Sequence, residues 1–237
     1  MTGVQKKAGQ ERAGQERAGQ ERAGKYQPPA GVEAEAEPGS RGRVLRNKLG
    51  IKRKRDMDRA EYEAFLQVQE SALEWVTPQT RFTARLLCRI HQDWLGNIYE
   101  WAGQYRTVDV SKGGFTWPPA LLVTQNMQAF ENGLLRQHTP CPPAPPPEVA
   151  GRLAKVHAEL LLIHPFREGN GRLARLLADL MALQAGLAAP KYPFEGRGNQ
   201  AERAKYLWAV SEGYLMRYEP LTRFFVEALA RRGRVES

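Results

Sequence analysis

Two apolar repeats of helical spacing, joined by a short polar loop, constrain the fold of this chain more than any other feature of its sequence. The first repeat covers residues 149–163 and the second covers residues 173–183, each with apolar residues three or four positions apart. Gly186 follows the second repeat and is typical of a residue that ends a helix. The loop, residues 164–171, is rich in residue types that carry chemistry. The pattern therefore predicts two helices that hold a reactive loop between them.

Most of the sequence from Asp56 onward repeats the helical spacing. It predicts further helices near residues 56–77, 82–96, 119–137, 199–217 and 219–231, the first with Tyr62, Phe65, Leu66, Val68 and Leu73 on its apolar face. Around Gly113–Gly114 the pattern changes to alternating apolar and polar residues, which indicates a short β-hairpin. We therefore predict an all-α domain with one small β-hairpin over residues 44–237.

The first 43 residues have a different composition. Three copies of the pentapeptide AGQER fill residues 8–22, and they offer no apolar face whose burial could offset the entropy of ordering. We predict that residues 1–43 form a disordered, basic, low-complexity tail. Of the net charge of +9, +8 belongs to residues 1–55, so the predicted domain is nearly neutral. A basic tail can hold polyanions weakly, but this distribution makes the domain an unpromising nucleic-acid binder.

The composition also gives an expectation about the compartment. The chain has two cysteines, too few for a disulfide framework, and it shows no signal-peptide pattern or long uncharged apolar run. We expect a cytoplasmic protein that does not enter a membrane.

The end of the loop has the properties of a phosphate site. In Gly169–Asn170–Gly171, two of three residues lack a Cβ, so backbone N–H groups can gather at the positive end of the following helix. Arg172 and Arg175 lie three positions apart on one face of that helix, where both guanidinium groups can bracket a polyphosphate.

Two further side chains complete the chemistry. Glu168 would repel a phosphate unless Mg2+ lay between them, and that arrangement is the usual one for this ion. His164 titrates near neutral pH and can take a proton from an attacking hydroxyl, while Phe166 is expected to point into the core. Each part alone has an ordinary structural interpretation, as a helix cap, a turn or a solvated face. Their joint spacing favours nucleotidyl or phosphoryl transfer.

Residues 164–175, HPFREGNGRLAR, resemble the signature of the Fic family, His-x-Phe-x-Asp/Glu-Gly-Asn-Gly-Arg-x-x-Arg, at every specified position. Residues 98–108 and 111–115 are similar to the family's segment that leads into a flap hairpin. The resemblance covers essentially residues 44–237.

The resemblance implies an all-α core that transfers AMP from ATP to a Ser, Thr or Tyr hydroxyl of a target protein. It implies that His164 is the general base and that Glu168 holds Mg2+ on the α- and β-phosphates. The anion hole and the two charge-neutralising arginines would be Gly169, Asn170, Gly171, Arg172 and Arg175. Tyr206 would lie near the adenine. The flap, Ser111, Lys112, Gly113, Gly114 and Phe115, would clamp an extended target segment as an added strand.

Two questions of regulation and chemistry stay open at this point. Many relatives carry an inhibitory helix with the pattern Ser/Thr-x-x-x-Glu-Gly/Asn, which no Ser or Thr of this chain satisfies. A separate antitoxin-like protein could instead present a glutamate to Arg175, which would make the chain a toxin. The alternatives to AMP transfer are phosphotransfer or transfer of another phosphate-linked group, and, last, non-catalytic nucleic-acid binding.

Overall fold

The computed structural model of the chain describes residues 32–194 and 199–231. Most of the predicted tail lies outside these residues, and the predicted boundary at residue 44 stays a prediction. Residues 32–43 are nevertheless folded: Val32–Ala34 form a 3-10 turn, and Ala36 pairs with Leu45 in an antiparallel bridge. Within the described residues, local structure therefore extends to Val32, on the tail side of residue 44.

Helices dominate the described residues, which confirms the predicted fold class. They are α1 (Lys54–Trp75), α2 (Ala84–Leu95), α3 (Val123–Phe130), α4 (Arg136–His138), α5 (Pro146–Ile163), α6 (Asn170–Gln184), α7 (Gln200–Tyr214) and α8 (Glu219–Ala230). A π turn, Glu131–Leu135, joins α3 to α4. Within the described ranges, no helix combines the length and the apolarity needed to cross a membrane.

The predicted hairpin is also present. Strands β1 (Ser111–Lys112) and β2 (Phe115–Thr116) pair antiparallel, with Ser111 opposite Thr116. Gly113 and Gly114 both have positive φ angles, 59° and 82°, as a tight hairpin turn requires. The strands are shorter than the alternating pattern suggested, because Val108 and Val110 precede the paired segment.

Helix α5 is the centre of the fold. It packs against α6, α7 and α8, and its buried residues recur on more than one face. The end of α6 confirms the role expected of Gly186: its φ is 77°, and Leu187 N–H donates to Ala182 O at 3.0 Å. The loop of residues 164–171 thus lies between α5 and α6, two helices with ten buried residues each.

The predicted apolar face of α1 is wrong in part. Tyr62, Leu66 and Leu73 are 57%, 45% and 59% exposed. The buried face is Met57, Glu61, Phe65, Val68 and Ala72. The buried face differs from the predicted one because it includes a charged residue, Glu61, which is held in a polar network. A pattern of apolar residues cannot indicate such a position. Leu183 on α6, also expected in the core, is 40% exposed.

Candidate active site

The loop begins where α5 ends, at His164. His164 has left-handed backbone angles, φ 52° and ψ 59°, and its N–H donates to Leu160 O at 3.0 Å. A left-handed residue other than glycine is uncommon and costs conformational energy that the surroundings must offset. The helix therefore stops abruptly, and the imidazole projects from its final turn.

Two buried side chains hold the middle of the loop. Phe166 is fully buried and stacks on the His91 ring, with centroids 3.9 Å apart. Asn170 closes the loop on itself: its Oδ1 accepts from Phe166 N–H at 2.9 Å, and its Nδ2 donates to Phe166 O at 2.7 Å. The expectation that Phe166 points into the core is confirmed. Both polar atoms of the Asn170 side chain are thus bonded to the loop backbone, and Asn170 can bind a ligand through its backbone N–H.

His91, on α2, fixes the loop from the other side. Its Nδ1 accepts from Gly103 N–H at 2.8 Å, so its proton is on Nε2, which lies 3.1 Å from Glu168 O and donates to it. Burial lowers the pKa of His91 to about 4. The ring is therefore a neutral bridge between α2 and the loop.

The protonation of the His164 ring is set in a similar way. Nδ1 lies 3.2 Å from Leu161 O, and because a carbonyl oxygen only accepts, Nδ1 must carry the proton. The lone pair is then on Nε2, which is the state a general base needs. Burial lowers the pKa of His164 to about 4, so the ring is neutral at neutral pH. Trp117 lies against it, with ring centroids 4.0 Å apart, and donates its own indole N–H to Leu161 O.

Arg106 ties the hairpin to this histidine. Its guanidinium is buried and donates to His164 O at 2.7 Å, to Val108 O at 2.9 Å and to Pro118 O at 2.6 Å. Val108 and Pro118 flank the hairpin on its two sides. One buried side chain thus joins both ends of the hairpin to the end of α5.

The anion site that the sequence predicted corresponds to the start of α6. The first N–H groups of an α-helix have no acceptor within it, so those of Asn170 and Gly171 face outward at the positive end of the helix dipole. Gly169 precedes them with φ 86°. A Cβ at Gly169 would lie 2.6 Å from the Trp94 ring. Both the positive φ and this close contact therefore disfavour any residue other than glycine.

The two arginines of the loop sequence lie on α6 in different surroundings. Arg172 Nη2 is 2.6 Å from Glu61 Oε2, and the guanidinium lies 4.5 Å from the centroid of the Trp94 ring. Arg175 lies 5.6 Å from the ring centroid of Tyr192 and 5.7 Å from that of Phe194. Both guanidinium groups are therefore held by aromatic rings beside the helix start.

Glu168 is the candidate magnesium ligand. Its side chain is 47% exposed, and Oε1 accepts from Gly169 N–H at 2.9 Å and lies 3.5 Å from Arg172 Nη2. Within the described ranges, no three His, Cys, Asp or Glu residues are grouped so that they could hold a metal. A single exposed carboxylate fits Mg2+, which binds one or two carboxylates and completes its shell with phosphates and water.

The hairpin and Tyr206 are placed differently from one another. Residues 111–116 are all exposed, so the backbone edges of the hairpin are available for pairing. Tyr206 is 4% exposed, and its hydroxyl lies 2.7 Å from His157 Nε2 inside the core. Its ring packs on Phe194, 4.6 Å between centroids. The predicted roles of the hairpin and of Tyr206 stay predictions.

Four residues around the loop were missed as site residues: His91, Arg106, Trp117 and Glu61. All four contact residues of the 164–175 segment directly, through hydrogen bonds or ring packing. Arg106 and Trp117 lie in or beside residues 98–108 and 111–115, but their hydrogen-bond partners are backbone carbonyls. Such partners leave no trace in a sequence.

Comparison with known protein families matches residues 81–182 to the Fic/DOC family. The probable protein adenylyltransferase Fic of Salmonella typhimurium is 31% identical over 154 residues, which cover 61% of this chain and 70% of that protein. The protein adenylyltransferase VbhT of Bartonella schoenbuchensis is 32% identical over 144 residues, 60% of this chain but 30% of VbhT.

Solved structures show the same fold. The Fic domain of Bep8 from Bartonella sp. 1-1C has a TM-score of 0.68 and 19% identity, covering 82% of this chain and 94% of that one. BepC from Bartonella tribocorum, solved with bound AMPPNP, has a TM-score of 0.65 and 22% identity, covering 80% and 93%. These structures show the fold, and the 31% identity to the Salmonella protein over 70% of its length establishes that the chain belongs to the Fic/DOC family.

Proposed function

We propose that this chain is a protein adenylyltransferase, which transfers AMP from ATP to a Ser, Thr or Tyr hydroxyl of a target protein. The observation that carries the proposal is the His164 imidazole, neutral and with its lone pair on Nε2, at one end of a loop whose other end is the N–H-bearing start of α6. The names of the Salmonella and Bartonella relatives support the same reaction.

In the proposed reaction, the target hydroxyl oxygen attacks the α-phosphorus of ATP. Its proton moves to His164 Nε2, the bond from the α-phosphorus to the bridging oxygen breaks, and pyrophosphate leaves. The N–H groups of Asn170 and Gly171 bind phosphate oxygens, and Arg172 and Arg175 offset the negative charge. Gly169 gives the loop the backbone angles that expose this helix start.

Glu168 would hold Mg2+ against the triphosphate. The ion, when bound, neutralises phosphate charge and orients the leaving group. Glu168→Ala should therefore weaken the Mg2+ dependence of nucleotide binding, measured by titrating Mg2+ at fixed ATP. Unchanged Mg2+ dependence in this variant would remove Glu168 from the role.

The hairpin would position the target. An extended segment can add to the exposed edge of β1 or β2 through backbone hydrogen bonds, which places its hydroxyl beside His164. Arg106 and Trp117 support this geometry because they connect the hairpin to His164. Tyr206 supports the nucleotide site from behind, through Phe194, which lies beside Arg175.

Labelling with ATP tests the reaction and separates it from its main alternative. The purified chain is incubated with Mg2+, a bacterial lysate and ATP labelled at either the α- or the γ-phosphorus. Adenylyl transfer predicts a protein band labelled from the α-position and a mass increase of one AMP. A band labelled from the γ-position instead would indicate phosphotransfer, and no labelled band from either would contradict both.

We further propose that the protein works in the cytoplasm as a toxin controlled by a separate antitoxin-like protein that presents a glutamate to Arg175. The missing inhibitory pattern in this chain supports control in trans. Expression of the chain alone should arrest growth, and the arrest should disappear in His164→Ala. Harmless accumulation of AMP-modified protein would contradict the toxin proposal while leaving the transfer reaction intact.

A further inference from the structure

Glu61 is a buried carboxylate that the proposed reaction does not use. It lies on α1, outside residues 81–182, and its side chain is 5% exposed. A charge is rarely buried unless it is paired and hydrogen-bonded, because desolvation is costly. What Glu61 binds therefore indicates why it is there.

Both carboxylate oxygens of Glu61 have a partner. Oε1 accepts from the Tyr99 hydroxyl at 2.6 Å, and Oε2 accepts from Arg172 Nη2, also at 2.6 Å. Burial and the Glu61 charge raise the pKa of Tyr99, so its hydroxyl is a permanent donor. In addition, Trp94 Nε1 donates to the backbone oxygen of Glu61 at 2.9 Å, which fixes this turn of α1 against α2.

These contacts restrain Arg172 on two sides. One face of its guanidinium lies on the Trp94 ring, and one nitrogen, Nη2, is held by Glu61. Among the described residues, the hydrogen bonds and ion pairs of this guanidinium all involve Nη2, so Nη1 and Nε keep their donors for another acceptor. The side chain is 24% exposed, so that acceptor can come from solvent.

We propose that Glu61 is a positioning residue that holds Arg172 ready for the phosphates of the nucleotide. An arginine has several rotatable bonds, and ordering it when a ligand binds costs affinity. Glu61 and Trp94 order the Arg172 side chain before the nucleotide binds. Glu61 does so through Nη2 alone and leaves the donors on Nη1 and Nε accessible. The inference rests on the proposed function, because it takes the ligand of Arg172 to be a nucleotide phosphate.

The same contact also has an opposing effect. A carboxylate at 2.6 Å neutralises part of the Arg172 charge and so competes with phosphate. The two effects predict opposite signs when Glu61 is replaced. Glu61→Met removes the anchor with an apolar side chain of similar size, and Glu61→Gln keeps an oxygen for Arg172 while its amide can donate to the Tyr99 hydroxyl.

The test measures the Kd of α,β-methylene-ATP with Mg2+ by calorimetry, since this analogue cannot transfer AMP. We expect Glu61→Met to weaken binding about three- to tenfold, the cost of ordering one rotamer-rich side chain, and Glu61→Gln to stay within about twofold of wild type. Arg172→Ala should weaken binding by itself, and adding Glu61→Met to it should cause no further loss if Glu61 acts through Arg172. Val68→Ala, on the same buried face of α1, should lower the melting temperature and leave the Kd unchanged.

Two results would overturn the inference. Binding of the analogue by Glu61→Met as tightly as by wild type, or more tightly, would exclude positioning. An effect of Glu61→Met that persists in full without Arg172 would exclude Arg172 as its route. If Glu61→Met does not fold, Glu61→Asp, which withdraws the carboxylate by one methylene, must show the same weakening. If the chain does not bind nucleotide at all, wild type itself will not bind the analogue, which distinguishes that failure from a loss confined to the Glu61 variants.

Discussion

The two glycines of the loop offer a matched pair of substitutions with opposite expected effects on stability. Gly169 has φ 86°, and a Cβ there would lie 2.6 Å and 2.9 Å from two carbons of the Trp94 ring. Gly171 is inside α6, and a Cβ there would meet Arg175 Nη1 at 3.7 Å, an ordinary contact. Gly169→Ala and Gly171→Ala therefore add the same methyl group at two nearby positions. The first methyl overlaps the Trp94 ring, and the second has room.

The magnitudes follow from these geometries. A left-handed backbone costs a non-glycine residue roughly 1–2 kcal/mol, and overpacking a rigid core costs about 1–3 kcal/mol more. Trp94 cannot move away cheaply, because Phe65 packs on it with ring centroids 4.8 Å apart and Arg172 covers it. Gly169→Ala should thus lower the free energy of unfolding by about 2–5 kcal/mol. Gly171→Ala should raise it by up to about 1 kcal/mol, since alanine favours the helix.

Urea denaturation of both variants beside wild type provides the assay, with single-turnover AMP transfer measured below the denaturation midpoint. For a chain of this size, Gly169→Ala should lower the melting temperature by very roughly 5–15 °C. Equal stability of the two variants would refute the reasoning, because it would mean that the loop does not approach Trp94 as closely as the structure has it.

Three further predictions concern the groups that support the site. Arg106→Lys should lower the free energy of unfolding by about 2–4 kcal/mol, because several buried carbonyls lose their donor; Arg89→Lys, an exposed control, should change nothing in the same urea titration. Tyr206→Phe should cost about 1–3 kcal/mol by leaving His157 without its partner, and an unchanged stability would contradict that bond. Burial holds the pKa of His91 at about 4 and that of His157 at about 3. Below about pH 6.5 the unfolded chain protonates both histidines, whereas the native state does not. The free energy of unfolding should therefore fall as the pH drops from 6.5 to 5, by roughly 1.4 kcal/mol per pH unit for each histidine. Denaturation midpoints that do not change over this range would contradict the burial of these rings.

Sequence periodicity was enough to predict the helices, because burial of an apolar stripe is a local pattern. It predicted α5, α6 and the glycine that ends α6 closely. It was wrong about the face of α1, where Glu61 lies in place of an apolar residue. The partners of Glu61 are Tyr99 and Arg172, 38 and 111 positions away, and nothing local indicates such pairs.

In the candidate site too, features carried by neighbouring residues differ from features that depend on contacts with the backbone. The types and the order of the loop residues indicated the chemistry that we propose, because those residues are adjacent in the sequence. The protonation of His164 could not be predicted, since it depends on Leu161 O, a backbone atom. The same holds for Arg106, whose acceptors are carbonyls on both sides of the hairpin and at the end of α5. Carbonyls are present at every position, so a sequence cannot single out the ones that matter.

The most direct test of the central claim compares wild type with His164→Ala in two measurements on the same samples. The first is the Kd of α,β-methylene-ATP, and the second is the single-turnover rate of AMP transfer to the labelled target. We expect the Kd to change by less than about threefold, while the rate falls by about 10²–10⁴-fold, the usual contribution of a general base. A variant that still transfers AMP at close to the wild-type rate would contradict the account.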